Sequence, residues 1–139
     1  MKVTTHFVSD YQYNNINESG NELPMDMYPA GEKEAFSPTQ ALLGALAACA
    51  AVDIVQMMKK KRRQVDDLVI ETVGTRREEA PKYFTAITQT FTLVSPDADE
   101  ESFRKVVLLA VDKYCSVASS LRDDIDMSIR TEVLREPIR

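Results

Sequence analysis

Two cysteines, Cys49 and Cys115, are the residues of this 139-residue sequence best suited to chemistry. A thiolate is a nucleophile, and two thiols that meet support a peroxidatic and resolving cycle: one sulfur becomes a sulfenic acid and the other closes a disulfide on it. Each cysteine also has a plainer reading. Cys49 lies inside the run Ala41–Val52, in which every residue is apolar or glycine; a free cysteine there packs as a small hydrophobe, and burial alone raises its pKa. Cys115 follows Lys113-Tyr114 at an element boundary, where thiols are more accessible, and stands evenly between packing and function. Asp53 falls one helical turn after Cys49 and on the same face, either as part of a site or as the point where the helix leaves the core. The single histidine, His6, would be needed for a Cys-His nucleophile pair or a zinc site, yet it sits alone in a strand-like stretch and zinc usually takes four ligands. Arg76-Arg77-Glu78-Glu79 reads as a solvated strand end or as a source of charge for a site. The sequence has no glycine-rich phosphate loop and no HExxH, GxSxG or CxxC motif, so nucleotide, metalloprotease and thioredoxin-type readings fall away, and neither a cofactor nor a metal is expected.

The element that must position Cys49 is the stretch Ser37–Arg63, read as one long helix. Ser37 suits the N-cap, Pro38 the first helical position, and Gln40 completes an S-x-x-Q capping box. The basic end, Lys59 to Arg63, complements the negative end of the helix dipole. A helix apolar all round at its middle must be covered on every side, and at about 1.5 Å per residue this one is longer than a small domain easily surrounds. A second subunit is therefore expected to share the covering, as an obligate homodimer. A membrane span is not expected, because Asp53 interrupts the apolar run before the roughly 20 residues that a span needs.

Around that helix the pattern predicts strands over 2–8, 11–17 and 22–27, with Glu18-Ser19-Gly20-Asn21 as a hairpin turn and Pro24 marking an edge strand. Further strands are predicted over 68–77 and 83–94, the latter alternating Ile87, Phe91 and Leu93 against Thr88, Thr90 and Thr92. An amphipathic helix follows, with Phe103, Val106, Val107, Ala110, Val111 and Tyr114 on its apolar face, then a short helix over 116–122 and a closing strand over 126–134. This order, strands, long helix, strands, helix, strand, predicts an α+β fold with antiparallel sheets around a long central helix, in a single domain spanning 1–139. A formal charge of −5 argues against non-specific nucleic-acid binding. The first residues lack the apolar core of a secretory signal, so a cytoplasmic protein with reduced cysteines is expected.

The motifs SPTQALLGALAAC and KYCSVASSL resemble those of the OsmC/Ohr family of organic hydroperoxide resistance proteins, and more closely its YhfA-like branch, which shares patterns similar to Cys49–Val55, Arg76–Pro81 and Tyr114–Ala118. The resemblance covers nearly the whole chain. It implies two sheets around central helices, an intertwined homodimer with sites at the subunit interface, and thiol-dependent reduction of a hydrophobic organic hydroperoxide, with Cys49 oxidised, Cys115 resolving and an external dithiol as reductant. The family's thiolate is held by an arginine from the N-terminal strands and a glutamate near the start of the central helix. Here the matching position is Thr39, with Gln40 beside it, and no arginine precedes Arg62. A replacement cation would come from Arg76, Arg77, Lys33 or Lys2. The other reading is a non-catalytic dimer of the same fold that binds a small hydrophobic ligand, its cysteines structural or a passive redox switch.

Overall fold

The computed structural model describes residues 1–137, which fall into two compact units, Met1–Leu42 and the chain from Leu43 onward. The first unit carries a three-stranded antiparallel sheet of β1 (Val3–Ser9), β2 (Gln12–Asn17) and β3 (Glu22–Asp26), in that order. The turn from β2 to β3 is built by Asn17, whose side-chain oxygen accepts from the backbone N–H groups of Ser19 and Asn21, and by Gly20 at φ 83°, a conformation glycine adopts without strain. Pro24 lies in β3, an edge strand, where its missing N–H costs no internal ladder bond. After β3 a single 3₁₀ turn (Ala30–Glu32) leads toward the long helix. That loop is tied down by Asp26: its fully buried carboxylate accepts from Lys33 Nζ and from the backbone N–H groups of Glu34 and Ala35.

The long helix α1 runs Pro38–Lys60. Its capping box forms as its sequence predicts: Gln40 N donates to Ser37 Oγ at 3.2 Å, and Ser37 N to Gln40 Oε1 at 2.9 Å. It stops three residues before the expected Arg63. Arg62 adopts φ 59°, Arg63 N donates to Met58 O and Arg62 N to Lys59 O, which is a Schellman C-cap with arginine where glycine is usual. Within one chain α1 buries only Leu46, Ala50, Ile54 and Met58, a stripe at four-residue spacing. The expectation of a helix covered all round is not met by one chain: Gly44, Ala45, Ala48 and Val52 stay exposed. By length and composition alone α1 could cross a membrane, but Asp53 and Gln56 interrupt it and its buried stripe packs into a protein core.

The second unit's sheet is β4 (Asp67–Arg76), β5 (Phe84–Val94) and β6 (Asp126–Leu134), with β5 central. β4 and β5 pair antiparallel, whereas β5 and β6 pair parallel, which corrects the purely antiparallel expectation. The cause is the connection. Between β5 and β6 the chain passes through α2 (Glu100–Leu109) and α3 (Ser116–Ser119), a helical crossover that returns it to the same end of the sheet. One core joins Ala50, Ile54 and Met58 of α1 to Phe91 and Leu93 of β5 and to Phe103, Val106 and Val107 of α2. A smaller cluster joins Leu46, Phe84, Ile87 and Cys115, with Leu43 and Cys49 packed against it.

Gly74 on β4 belongs to the wall of that smaller cluster. A Cβ there would fall well inside contact distance of the Phe84 ring and 3.2 Å from Leu43 Cδ2. Gly74→Ala is therefore expected to cost about 1–3 kcal/mol through overpacking, read as a lower denaturant midpoint with an unchanged slope.

α2 is capped by Asp99, which accepts from Ser102 N at 2.8 Å, and it begins with Glu100 and Glu101 as its acidic first turn suggests. It does not run on as an α-helix to Tyr114. Residues Ala110–Tyr114 form a π-helical turn, whose wider i→i+5 bonding shifts the phase of the side chains. Tyr114, expected on the apolar face, is 51% exposed, and Cys115, expected to be the accessible thiol, is 1% exposed.

Candidate functional site

The phase shift decides which cysteine is which. Cys115 is buried beneath α3 and serves as its N-cap: its sulfur accepts from Ala118 N at 3.4 Å, and its S–H points to Leu46 O at 3.9 Å. Cys49, on α1, is half-buried, so it is the more open of the two. Both are free thiols; Cys49 packs against the cluster that holds Cys115, near enough for each sulfur to shift the ionisation of the other. The structure thus brings together the two residues that the sequence separates by most of a helix, a hairpin and a crossover.

Their surroundings push them apart. Cys49 is held below the usual thiol pKa, first by the backbone N–H of Val117, then by the Cys115 thiol and the N–H of Ser116; partial burial and the Asp53 carboxylate work against this. Cys115 is pushed up, chiefly by burial and by its neighbour sulfur, with the Ala118 N–H opposing. Hydrogen bonds to the charged form favour it, and desolvation disfavours it. The result is that Cys49 ionises more readily than its neighbour Cys115.

The groups that lower the Cys49 pKa are thus main-chain amides and a thiol, rather than the replacement cation expected from Arg76, Arg77, Lys33 or Lys2. The donors are main-chain amides where the chain turns from Cys115 into α3. Two of the cation candidates, Lys33 and Arg77, are engaged elsewhere. Lys33 pairs with Asp26. Arg77 donates from Nε to Pro81 O and from Nη2 to Ala80 O, and lies 4.3 Å from the centre of the Tyr83 ring. Arg122, bidentate to Asp124, lies 4.0 Å from the centre of the same ring. Arg76 ends β4 with an exposed side chain, and Lys2 precedes β1, also exposed. Gln40 serves the helix cap, and Thr39 Oγ1 lies 3.4 Å from Ser37 Oγ. His6, on β1, pairs in register with Asn14 of β2, and among the described residues no group of three or more His, Cys, Asp or Glu could hold a metal ion. The amides of Ser116 and Val117 carry no signal in sequence, since any non-proline residue supplies the same N–H.

The Asp53 carboxylate acts on Cys49 and opposes its ionisation. Asp53→Asn should therefore lower the Cys49 pKa further and raise its alkylation rate below the ordinary thiol range. A two- to fivefold gain, about 0.4–1 kcal/mol, is the size expected of a partly screened charge. The check is iodoacetamide kinetics against pH.

Known proteins repeat this arrangement of elements. The family model for OsmC-like protein matches residues 31–130. Protein YhfA of Escherichia coli strain K12 is 32% identical over 134 residues, covering 96% of this chain and 98% of YhfA. A crystal structure of a hypothetical protein from Aquifex aeolicus VF5 superposes with a TM-score of 0.86 at 27% identity, over 98% of this chain and 97% of that one. The organic hydroperoxide resistance protein OhrB of Bacillus subtilis shares the fold at a TM-score of 0.63 and 17% identity, over 96% of this chain and 98% of OhrB.

Proposed function

The chain belongs to the OsmC-like family, and from that premise we propose that it is a thiol-dependent peroxidase acting on organic hydroperoxides, with Cys49 the attacking and Cys115 the resolving residue. One observation carries the reading: a half-buried sulfur with a lowered pKa packs against the cluster that holds a buried sulfur with a raised one. The fold it shares with proteins named for organic hydroperoxide resistance supports the substrate class.

The cycle balances with the residues present. The Cys49 thiolate attacks the distal oxygen of the hydroperoxide; an S–O bond forms as the O–O bond breaks, and the alkoxide leaves and takes a proton to become the alcohol. Cys49 is then a sulfenic acid. Cys115 gives up its proton, and its sulfur displaces the hydroxyl of that acid, which departs as water and leaves a Cys49–Cys115 disulfide. An external dithiol reduces the disulfide by exchange. No cofactor enters. The reading places the protein in the cytoplasm, where such dithiols are maintained. Its test is a trap: in Cys115→Ser, one equivalent of hydroperoxide should leave a sulfenic acid on Cys49 that dimedone captures.

The same reading makes the working unit a homodimer. The exposed small-residue face of α1, with Val52 64% exposed, suits close approach of a second α1 and a split-core interface. Sedimentation should give a dimer at micromolar concentration, and a stable folded monomer there would contradict it.

A second reading rests on a specific observation. Among the described residues no side-chain cation contributes to lowering the Cys49 pKa, which favours a non-catalytic dimer that holds a small hydrophobic ligand. Peroxide turnover decides between them.

A further inference from the structure

Beside the thiol cluster, the second unit contains an open cavity of about 510 Å³ bordered by α2, the π-helical turn, α3 and the segment after it, and β6; its lining residues Ala118, Leu121, Ile125 and Met127 also pack against the cluster that holds Cys115. Its size is within the range of small-molecule sites, roughly 300–1,000 Å³. Leu108, Ile125, Met127 and Ile129 give it apolar walls, while Arg104, Arg122 and Asp112 supply the charge. Those charges are not equivalent. Arg122 is already neutralised by its bidentate pair with Asp124. Arg104, an exposed residue of α2, makes no ion pair or hydrogen bond among the described residues.

We propose that this cavity is a binding site for an amphipathic monocarboxylate, its apolar body against Met127, Ile125 and Leu108 and its carboxylate on the Arg104 guanidinium. A guanidinium is matched in plane and spacing to a carboxylate and bonds it through two N–H groups. Asp112 in the same wall disfavours a doubly charged head, which is why the ligand is a monoanion. A neighbouring, smaller cavity lined by Met57, Val106 and Leu109 with Lys60, Lys61 and Lys105 provides the internal comparison.

The test follows the methyl resonances of ¹³C-methyl-methionine protein during titration with octanoate and, separately, 1-octanol. Octanoate should shift Met127 saturably and leave Met57 unmoved, and octanol should bind more weakly at the same methyl. Arg104→Gln, an exposed helix position that leaves the core intact, should weaken octanoate about tenfold, the loss of one charge-assisted pair, and leave octanol unchanged. Peroxide consumption by Arg104→Gln should equal that of the parent, so failure of the thiol reading and failure of this site are separable. No saturable shift at Met127, a response at Met57 instead, or equal octanoate affinity in Arg104→Gln would each overturn the proposal.

Discussion

Peroxide consumption in Cys49→Ser is expected to fall by about three orders of magnitude or more, because the serine hydroxyl cannot ionise near neutral pH and the displacement loses its nucleophile. Cys115→Ser should behave differently. Serine is itself a good N-cap, and its Oγ can accept from Ala118 N in place of the sulfur, so α3 and the amides of Ser116 and Val117 stay in position. The first step survives, and turnover stops after one equivalent because nothing closes the disulfide. The sign of the pH dependence follows from the shifts. The Cys49 pKa is lowered, so the rate of the first step rises with pH through that depressed value and levels off at lower pH than it would for an unperturbed thiol; Cys115, raised by burial, reacts with alkylating agents at higher pH than Cys49. Stopped-flow peroxide loss and site-resolved alkylation give both curves.

Much of the scaffold behind that expectation is legible in the residues. Ser37, Pro38 and Gln40 announce the start of α1, the Thr and Ile alternation announces β5, and the β6 boundaries coincide with the predicted 126–134. Three features are hidden from pattern reading, each for a physical reason. Strand direction is one: apolar alternation in β6 is the same whether it runs parallel or antiparallel to β5, and only the crossover decides. Helix phase is another. A single π turn at Ala110–Tyr114 exchanges the burial of Tyr114 and Cys115, and a 3.6-residue period carried through Tyr114 assigns them the wrong way round. The third is the source of the thiolate's stabilisation, which lies in the N–H groups of Val117 and Ser116 and leaves no mark on side-chain identity.

Removing that source should produce the second large effect. A hydrogen bond to a charged group contributes about 1.5–3 kcal/mol, which is roughly one to two pKa units. Val117→Pro deletes the N–H that most lowers Cys49, so its alkylation and peroxide rates at neutral pH should drop about tenfold or more, with the pH profile displaced upward. Proline is tolerated in the first turn of a helix, but at this position it restricts Ser116. Ser116→Pro is the gentler partner experiment: it occupies the first position of α3, after an extended Cys115 at φ −74° and ψ 104°, and removes the smaller of the two amide contributions. The expected order of slowing is Val117→Pro, then Ser116→Pro, with Val117→Ala like the parent because it retains its N–H. Circular dichroism of all three should overlay. Equal rates in the proline variants and in Val117→Ala would mean that the amides do not hold the thiolate.

The most direct test of the thiol-peroxidase account is a count of free thiols after adding one equivalent of cumene hydroperoxide to the reduced protein. The account predicts that two thiols per chain disappear together, that one equivalent of cumyl alcohol forms, and that a dithiol restores both sulfurs. Two thiols still titrating while the hydroperoxide persists would contradict it.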